Sequence, residues 1–117
     1  MVMPQKIQMQ VRHPAPQVAV IDIQGELTAF AENQLMDAYT LASSKGAQLI
    51  VLNCNEMEFM NSSGIGLLVT MLVRAKRQNQ KMAAVGLNEH FQHIFELTRL
   101  NEAIPVYASE AEVLAQA

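Results

Sequence analysis

The 117-residue sequence predicts a single α/β domain spanning residues 1–117, with a mostly parallel sheet, an N-terminal antiparallel hairpin and about four helices. Three observations carry that prediction. Apolar residues alternate near the start of the chain, as in a half-buried strand. Their spacing then changes to a helical three-and-four pattern across residues 31–44. A continuous apolar run, Leu49-Ile50-Val51-Leu52, follows directly and reads as a central strand. Half of the residues are hydrophobic, which supplies one core and excludes a disordered chain.

Taken in order, residues 6–12 place Ile7, Met9 and Val11 on one face of a first strand. His13-Pro14-Ala15-Pro16 is expected to break it, because proline gives no ladder donor. A second strand, with Val18, Val20, Ile21 and Ile23, completes a hairpin and is expected to end at Gly25. Ala31, Leu35, Ala38, Tyr39 and Ala42 then mark a helix that Gly46 stops. After the central strand, which is expected to end near Cys54, an apolar segment runs to Val73 and finishes in basic residues 74–77. Met82 to Leu87 reads as another strand, and Asn88 caps a helix that turns Phe91, Ile94 and Phe95 inward. A short strand at residues 104–107 is last, followed by a helix to about Gln116 that opens on a Ser109/Glu112 capping-box pattern.

Composition narrows the function classes. Charged residues make up only 16 % of the chain and the net charge is −3, so the sequence is a poor nucleic-acid binder. Arg74, Lys76, Arg77 and Lys81 form one basic excess, in keeping with cations at a helix C-terminus. Cys54 is the only cysteine, which rules out an internal disulfide and a cysteine zinc site. Its apolar neighbours suit a small buried hydrophobe. The first ten residues hold no continuous apolar stretch of the signal-peptide kind. The longest uncharged run, residues 59–73, is too short and too polar to span a bilayer. A soluble, cytoplasmic protein without membrane insertion is expected.

The most informative segment is Phe59-Met60-Asn61-Ser62-Ser63-Gly64-Ile65-Gly66-Leu67-Leu68. A serine nucleophile at a strand-to-helix elbow calls for G-x-S-x-G, but Met60 and Asn61 stand where the first glycine should be. His13, His90 and His93 are the candidate bases, and nothing in the sequence brings one to the serines. His90 and His93 share helical spacing but lack a third metal donor. Gly64-Ile65-Gly66 also lacks the third glycine of a dinucleotide loop and the lysine of a P-loop.

A simple N-cap at Asn61 or Ser62 accounts for one polar side chain but not for two glycines, each costing roughly 1 kcal/mol in a helix. Small residues there imply close packing or the close approach of another molecule. At 100° per residue, Ile65, Leu68, Val69 and Leu72 are expected to face the sheet. Ser62, Gly66 and Val73, with Thr70 beside them, then form a weakly charged flank suited to a partner. Phosphate on Ser62 would add about 1.5 to 2 negative charges at a helix N-terminus. That is tolerable for the helix and disruptive for a complementary surface.

FMNSSGIGLL following LIVLNCNEME resembles the strand, acidic-rich loop and D-S-[ST]-G-[LI]-G motif of STAS domains, especially bacterial anti-sigma factor antagonists. Ile23-Gln24-Gly25-Glu26-Leu27 is similar to the family's G-E-L turn. Residues 91–100, FQHIFELTRL, resemble its third-helix end, and residues 104–112 its closing strand and helix. The likeness extends over nearly the whole chain.

The resemblance implies a regulator that is not an enzyme, uses no cofactor and works by partner switching. An anti-sigma factor that is also a serine kinase would phosphorylate the first hydroxyl of the motif, here Ser62, and a serine phosphatase would reset it. The unphosphorylated form would bind the anti-sigma factor and free sigma. Asn61, Ser62, Ser63, Gly66, Thr70, Val73 and Thr28 are the expected partner-binding residues. The alternative is a constitutive interaction subunit of a lipid-transport or stress-sensing complex, with no phosphorylation. Two positions depart from the family pattern: Asn61 replaces the aspartate before the serine, and Thr28 the aspartate often found after G-E-L.

Overall fold

The computed structural model of the chain describes residues 7–116. Strands β1 (Ile7–Ala15), β2 (Val18–Leu27), β3 (Leu49–Met60), β4 (Lys81–Val85) and β5 (Val106–Tyr107) lie side by side in that order in one sheet. β1 is antiparallel to β2, and the remaining pairs are parallel. The helices are α1 (Glu32–Ser43), α2 (Ser62–Arg77), α3 (Glu89–Leu97), α4 (Leu100–Ala103) and α5 (Glu110–Gln116), with one 3-10 turn at Ala29–Ala31. The predicted α/β class and initial hairpin hold.

Period-two alternation distributes the strands between two cores. Ala19, Ile21, Ile50, Leu52, Met82 and Ala84 point to the larger one, where α1, α2 and α3 contribute Leu35, Leu68, Met71, Phe91 and Phe95. Val18, Val20, Val51, Ala83 and Val85 point the other way and meet Val113 of α5. One face of the sheet is therefore covered by three helices, and the other by a single seven-residue helix.

Five boundaries differ from the sequence reading, and the simplest is β4, which runs from Lys81 to Val85 and does not reach Leu87. β1 does not break at His13 but continues through Pro14 to Ala15. It pairs on one side only, so a proline costs no ladder bond on the free side, and the register slips between Arg12 and Ala15. Lys6, expected to begin that strand, lies outside the described residues. β2 passes through Gly25, which adopts φ +100, and ends two residues later. β3 does not stop near Cys54: residues 55–58, read as part of an acidic-rich loop, and Phe59 and Met60 after them extend the strand to Met60. Register shifts against β2 place Met57 and Met60 inside at a spacing of three, so the period-two signal disappears. Finally, Ile104 is buried but precedes the last strand, because the unpredicted α4 occupies the chain just before it.

Cys54 is buried, and burial pushes its thiol up to about 12. It acts as a small hydrophobe, as its neighbours indicated.

Candidate functional site: the start of the second helix

β2 and β3 run parallel with Leu27 opposite Met60. Thr28 and Asn61, the next residue after each strand, therefore leave the same end of the sheet. The Asn61 N–H donates to the Leu27 carbonyl at 3.3 Å, which ties the two strand ends together. Asn61 then turns the chain into α2: its Oδ1 accepts from the Gly64 N–H at 3.0 Å, and its carbonyl accepts from the Ile65 N–H at 3.0 Å. Asn61, not Ser62, is the N-cap. Thr28 performs the equivalent task for the 3-10 turn, where its Oγ1 accepts from the Phe30 N–H at 3.3 Å.

Because Asn61 does the capping, Ser62 and Ser63 open the helix with exposed side chains. The two glycines that follow serve different ends. A Cβ on Gly64 would collide with the Leu27 carbonyl, so only glycine lets α2 lie against β2 at that point. A Cβ on Gly66 would meet nothing within 4 Å. Close packing explains the first glycine and leaves the second without a structural cause.

Contact at Gly64 also sets the rotation of α2. Gly64, Leu67, Leu68, Met71 and Ala75 form its buried face, with Ile65 and Leu72 partly buried beside them. The wheel count is corrected at Val69, which was expected to face the sheet but is 42 % exposed. Val69 joins Ser62, Gly66, Thr70 and Val73 on the solvent side. The Thr70 hydroxyl donates to the Gly66 carbonyl at 3.0 Å and so turns back onto its own helix. Phe30, 78 % exposed, and Phe59, 47 % exposed, flank the same end of the sheet, an unusual amount of uncovered aromatic surface. The last turn of α2 carries Arg74, Lys76 and Arg77 at the opposite end, where the helix dipole favours cations.

The histidines do not join this site. His13 Nε2 lies 3.3 Å from the Ala42 carbonyl, and the exposed His90 ring sits 5.7 Å from that of Phe91. Among the described residues, no group of three or more His, Cys, Asp and Glu is arranged to hold a metal, and no helix is long and apolar enough to cross a membrane.

Sequence reasoning missed one polar network on the lightly covered face of the sheet. Arg12 Nε and Nη2 donate to the two Asp22 carboxylate oxygens at 2.7 and 2.8 Å, and Arg12 also reaches Glu110 of α5 at 2.7 Å. Asn53 Nδ2 donates to Asp22 Oδ1 at 2.7 Å, and Asn55 donates in turn to Asn53 Oδ1. These hydrogen bonds, those from Arg12 first, hold the Asp22 carboxyl below its ordinary value. Arg12 and Asp22 are ten residues apart, and only the hairpin register makes them neighbours.

Fold and helix start together define one class, a mixed-sheet α/β domain with an Asn-Ser-Ser-Gly turn opening its second helix. The chain belongs to the STAS-domain family, whose model matches residues 6–113. Among characterised relatives it is similar to the anti-sigma-B factor antagonist of Listeria monocytogenes, 23 % identical over 93 residues that cover 80 % of this chain and 82 % of that one. Among solved structures it is similar to an anti-sigma factor antagonist from Mycobacterium paratuberculosis, at 19 % identity and a TM-score of 0.81, covering 99 % of this chain and 97 % of that one. The Bacillus cell fate determinant SpoIIAA in its phosphorylated form superposes with a TM-score of 0.73 at 22 % identity, covering 93 % and 98 %. At those identities the two structures speak to the fold.

Proposed function

We propose that the chain is a cytoplasmic anti-sigma factor antagonist that works by partner switching and not by catalysis. In its unphosphorylated form it binds an anti-sigma factor that is also a serine kinase, and sigma is freed. That kinase transfers the γ-phosphoryl group of ATP to Ser62 Oγ, which loses its proton as ADP leaves. The phosphorylated form no longer binds, and a serine phosphatase restores it. The antagonist function of the relatives supports this reading.

The observation that carries it is the division of labour between Asn61 and Ser62. Asn61 supplies the cap, and the Ser62 side chain is exposed at the first helical position. A phosphate can therefore be added without removing a bond that the fold uses. It would stand at the positive end of the α2 dipole, at the head of the exposed face that continues through Gly66, Val69 and Val73, where it would disrupt a complementary partner surface. Partner contact is assigned to Asn61, Ser62, Ser63, Gly66, Thr70, Val73 and Thr28.

Incubation with the cognate kinase and ATP, followed by mass spectrometry, should place a single phosphate on Ser62. Ser62→Asp should abolish binding to the anti-sigma factor and Ser62→Ala should retain it. Phosphate elsewhere, or equal binding by both variants, overturns the reading.

A second reading is favoured by two residues. Asn61 caps α2 and Thr28 caps the 3-10 turn, and neither carries the charge of the aspartate that the resemblance leads one to expect there. A constitutive interaction subunit of a lipid-transport or stress-sensing complex would not need that charge. Affinity purification that recovers transporter subunits and no kinase would establish it.

A further inference from the structure

The lightly covered face of the sheet contains a groove at the end farthest from Ser62. It has a volume of about 500 Å³, within the ~300–1,000 Å³ range of small-molecule sites. Val18, Leu49, Ala83 and Val113 form an apolar floor, with Lys81 and Tyr107 at its margin. α5 is only seven residues long and roofs this face incompletely: its Val113 and Gln116 border the groove, whose other lining includes the starts of β2, β3 and β4.

Charge selects the occupant. In a chain with 11 Asp and Glu, none lines the groove. The remaining polar lining is neutral, chiefly Gln17, Gln48 and Asn79. A second hollow of about 350 Å³ shares Pro16, Gln17 and Val18 with it and adds Lys45 and His13, again without a carboxylate. Lys45, which follows α1, and Lys81, which opens β4, border these hollows, while Arg74, Lys76 and Arg77 close α2 at the same end of the sheet but on its other face. Glu26, Glu56 and Glu58 lie toward the opposite ends of β2 and β3. On the groove face itself the carboxylates are Glu110 and Glu112 in the first turn of α5, outside the lining, so Lys81 is the one charged side chain that borders the groove.

We infer that this groove binds a small amphiphilic anion, with its apolar tail along Val18, Leu49, Ala83 and Val113 and its anionic head at Lys81. The site is separate from the α2 start and does not depend on the function proposed for Ser62.

The test is titration of the 15N-labelled chain with octanoate, octyl phosphate and octanol, read by NMR. Octanoate should produce saturable shifts at the amides of Val18, Leu49, Ala83 and Val113 and leave those of Ser62 and Gly66 unmoved. Octyl phosphate should do the same, which shows that anionic charge and not the carboxylate group is read. Octanol, lacking the charge, should bind about three- to tenfold more weakly, and Lys81→Glu should weaken octanoate by a similar or larger factor. Ala83→Leu should block all three ligands by filling the floor. Its spectrum and unfolding curve establish that it is folded, and surface variant Lys81→Glu decides the matter if it is not. Three results overturn the inference: no saturable shifts, shifts confined to the Ser62 end, or equal affinity for octanol and octanoate.

Discussion

Gly64 and Gly66 belong to the same turn of α2, yet one lies against the Leu27 carbonyl and the other faces open solvent. The inner face of the helix start is dictated by the fold, since β2 passes too close for any side chain. The outer face carries exposed hydroxyls and apolar groups on which no packing constraint acts. The sharpest way to break this comparison is Gly64→Ala. The backbone of Leu27 cannot swing aside like a side chain, so the substitution should cost about 3 kcal/mol, the upper range for overpacking. Thermal unfolding should show a large fall in Tm. An unchanged Tm would mean that α2 is not seated where the structure places it.

The same inner contact explains what could be read from sequence and what could not. The order of strands and helices follows from period-two and period-three-to-four patterns, and the Asn88 cap from residue chemistry, with its Oδ1 accepting from the Phe91 N–H at 2.8 Å. Those signals are local. The rotation of α2 is not, because it depends on Gly64 meeting Leu27, 37 positions away in the chain. A wheel count consequently misplaced Val69 and overlooked Leu67 and Met71. The far half of β3 was hidden for a related reason, since its bulges exist only in relation to β2. Ser62 and Asn61 were legible as a pair because the motif is contiguous. Which of them caps the helix was not, because either side chain can do so.

A control for the comparison lies across the sheet, in the Arg12–Asp22–Glu110 cluster. It joins β1, β2 and α5 without touching α2, so its loss should lower stability and leave the Ser62 surface intact. Asp22→Ala should cost about 1.5 kcal/mol, given that Arg12 is 41 % exposed and keeps Glu110. The pH dependence has a definite sign. The folded state holds the Asp22 carboxyl below its ordinary 3.8, so its contribution is complete above that value and is lost as pH falls through the lower folded one. Denaturant curves for the wild type and Asp22→Asn should therefore differ most near neutrality and converge in acid. A gap that widened in acid would refute the assignment.

At Asn61 the two faces meet, and substitution separates the cap from the charge. Asn61→Ala removes the acceptor for the Gly64 N–H and should cost about 1 kcal/mol by denaturant unfolding. Asn61→Asp keeps the cap and adds charge at the helix N-terminus, so stability should hold or rise slightly. On the proposed function the aspartate should also speed phosphorylation of Ser62, because it restores the charge usual in the family. An unchanged rate would show that a kinase of this kind does not read the position, and would favour the constitutive subunit.

The smallest change tests the outer face most directly. Gly66 is exposed and helical, and an added Cβ meets no atom within 4 Å. Gly66→Ala should therefore stabilise the domain by about 0.5–1 kcal/mol, the helix propensity difference, in contrast to the same substitution two residues earlier. A glycine that costs stability and relieves no internal contact calls for an external reason. If a partner surface comes close to α2 here, the methyl group stands in its way, and binding should weaken while Tm rises. Calorimetry and a binding titration on one preparation read both quantities. Opposite movements in stability and affinity are the signature of a docking face. A higher Tm with undiminished binding would remove Gly66 from that face and leave Ser62 and its flanking aromatic residues to define it.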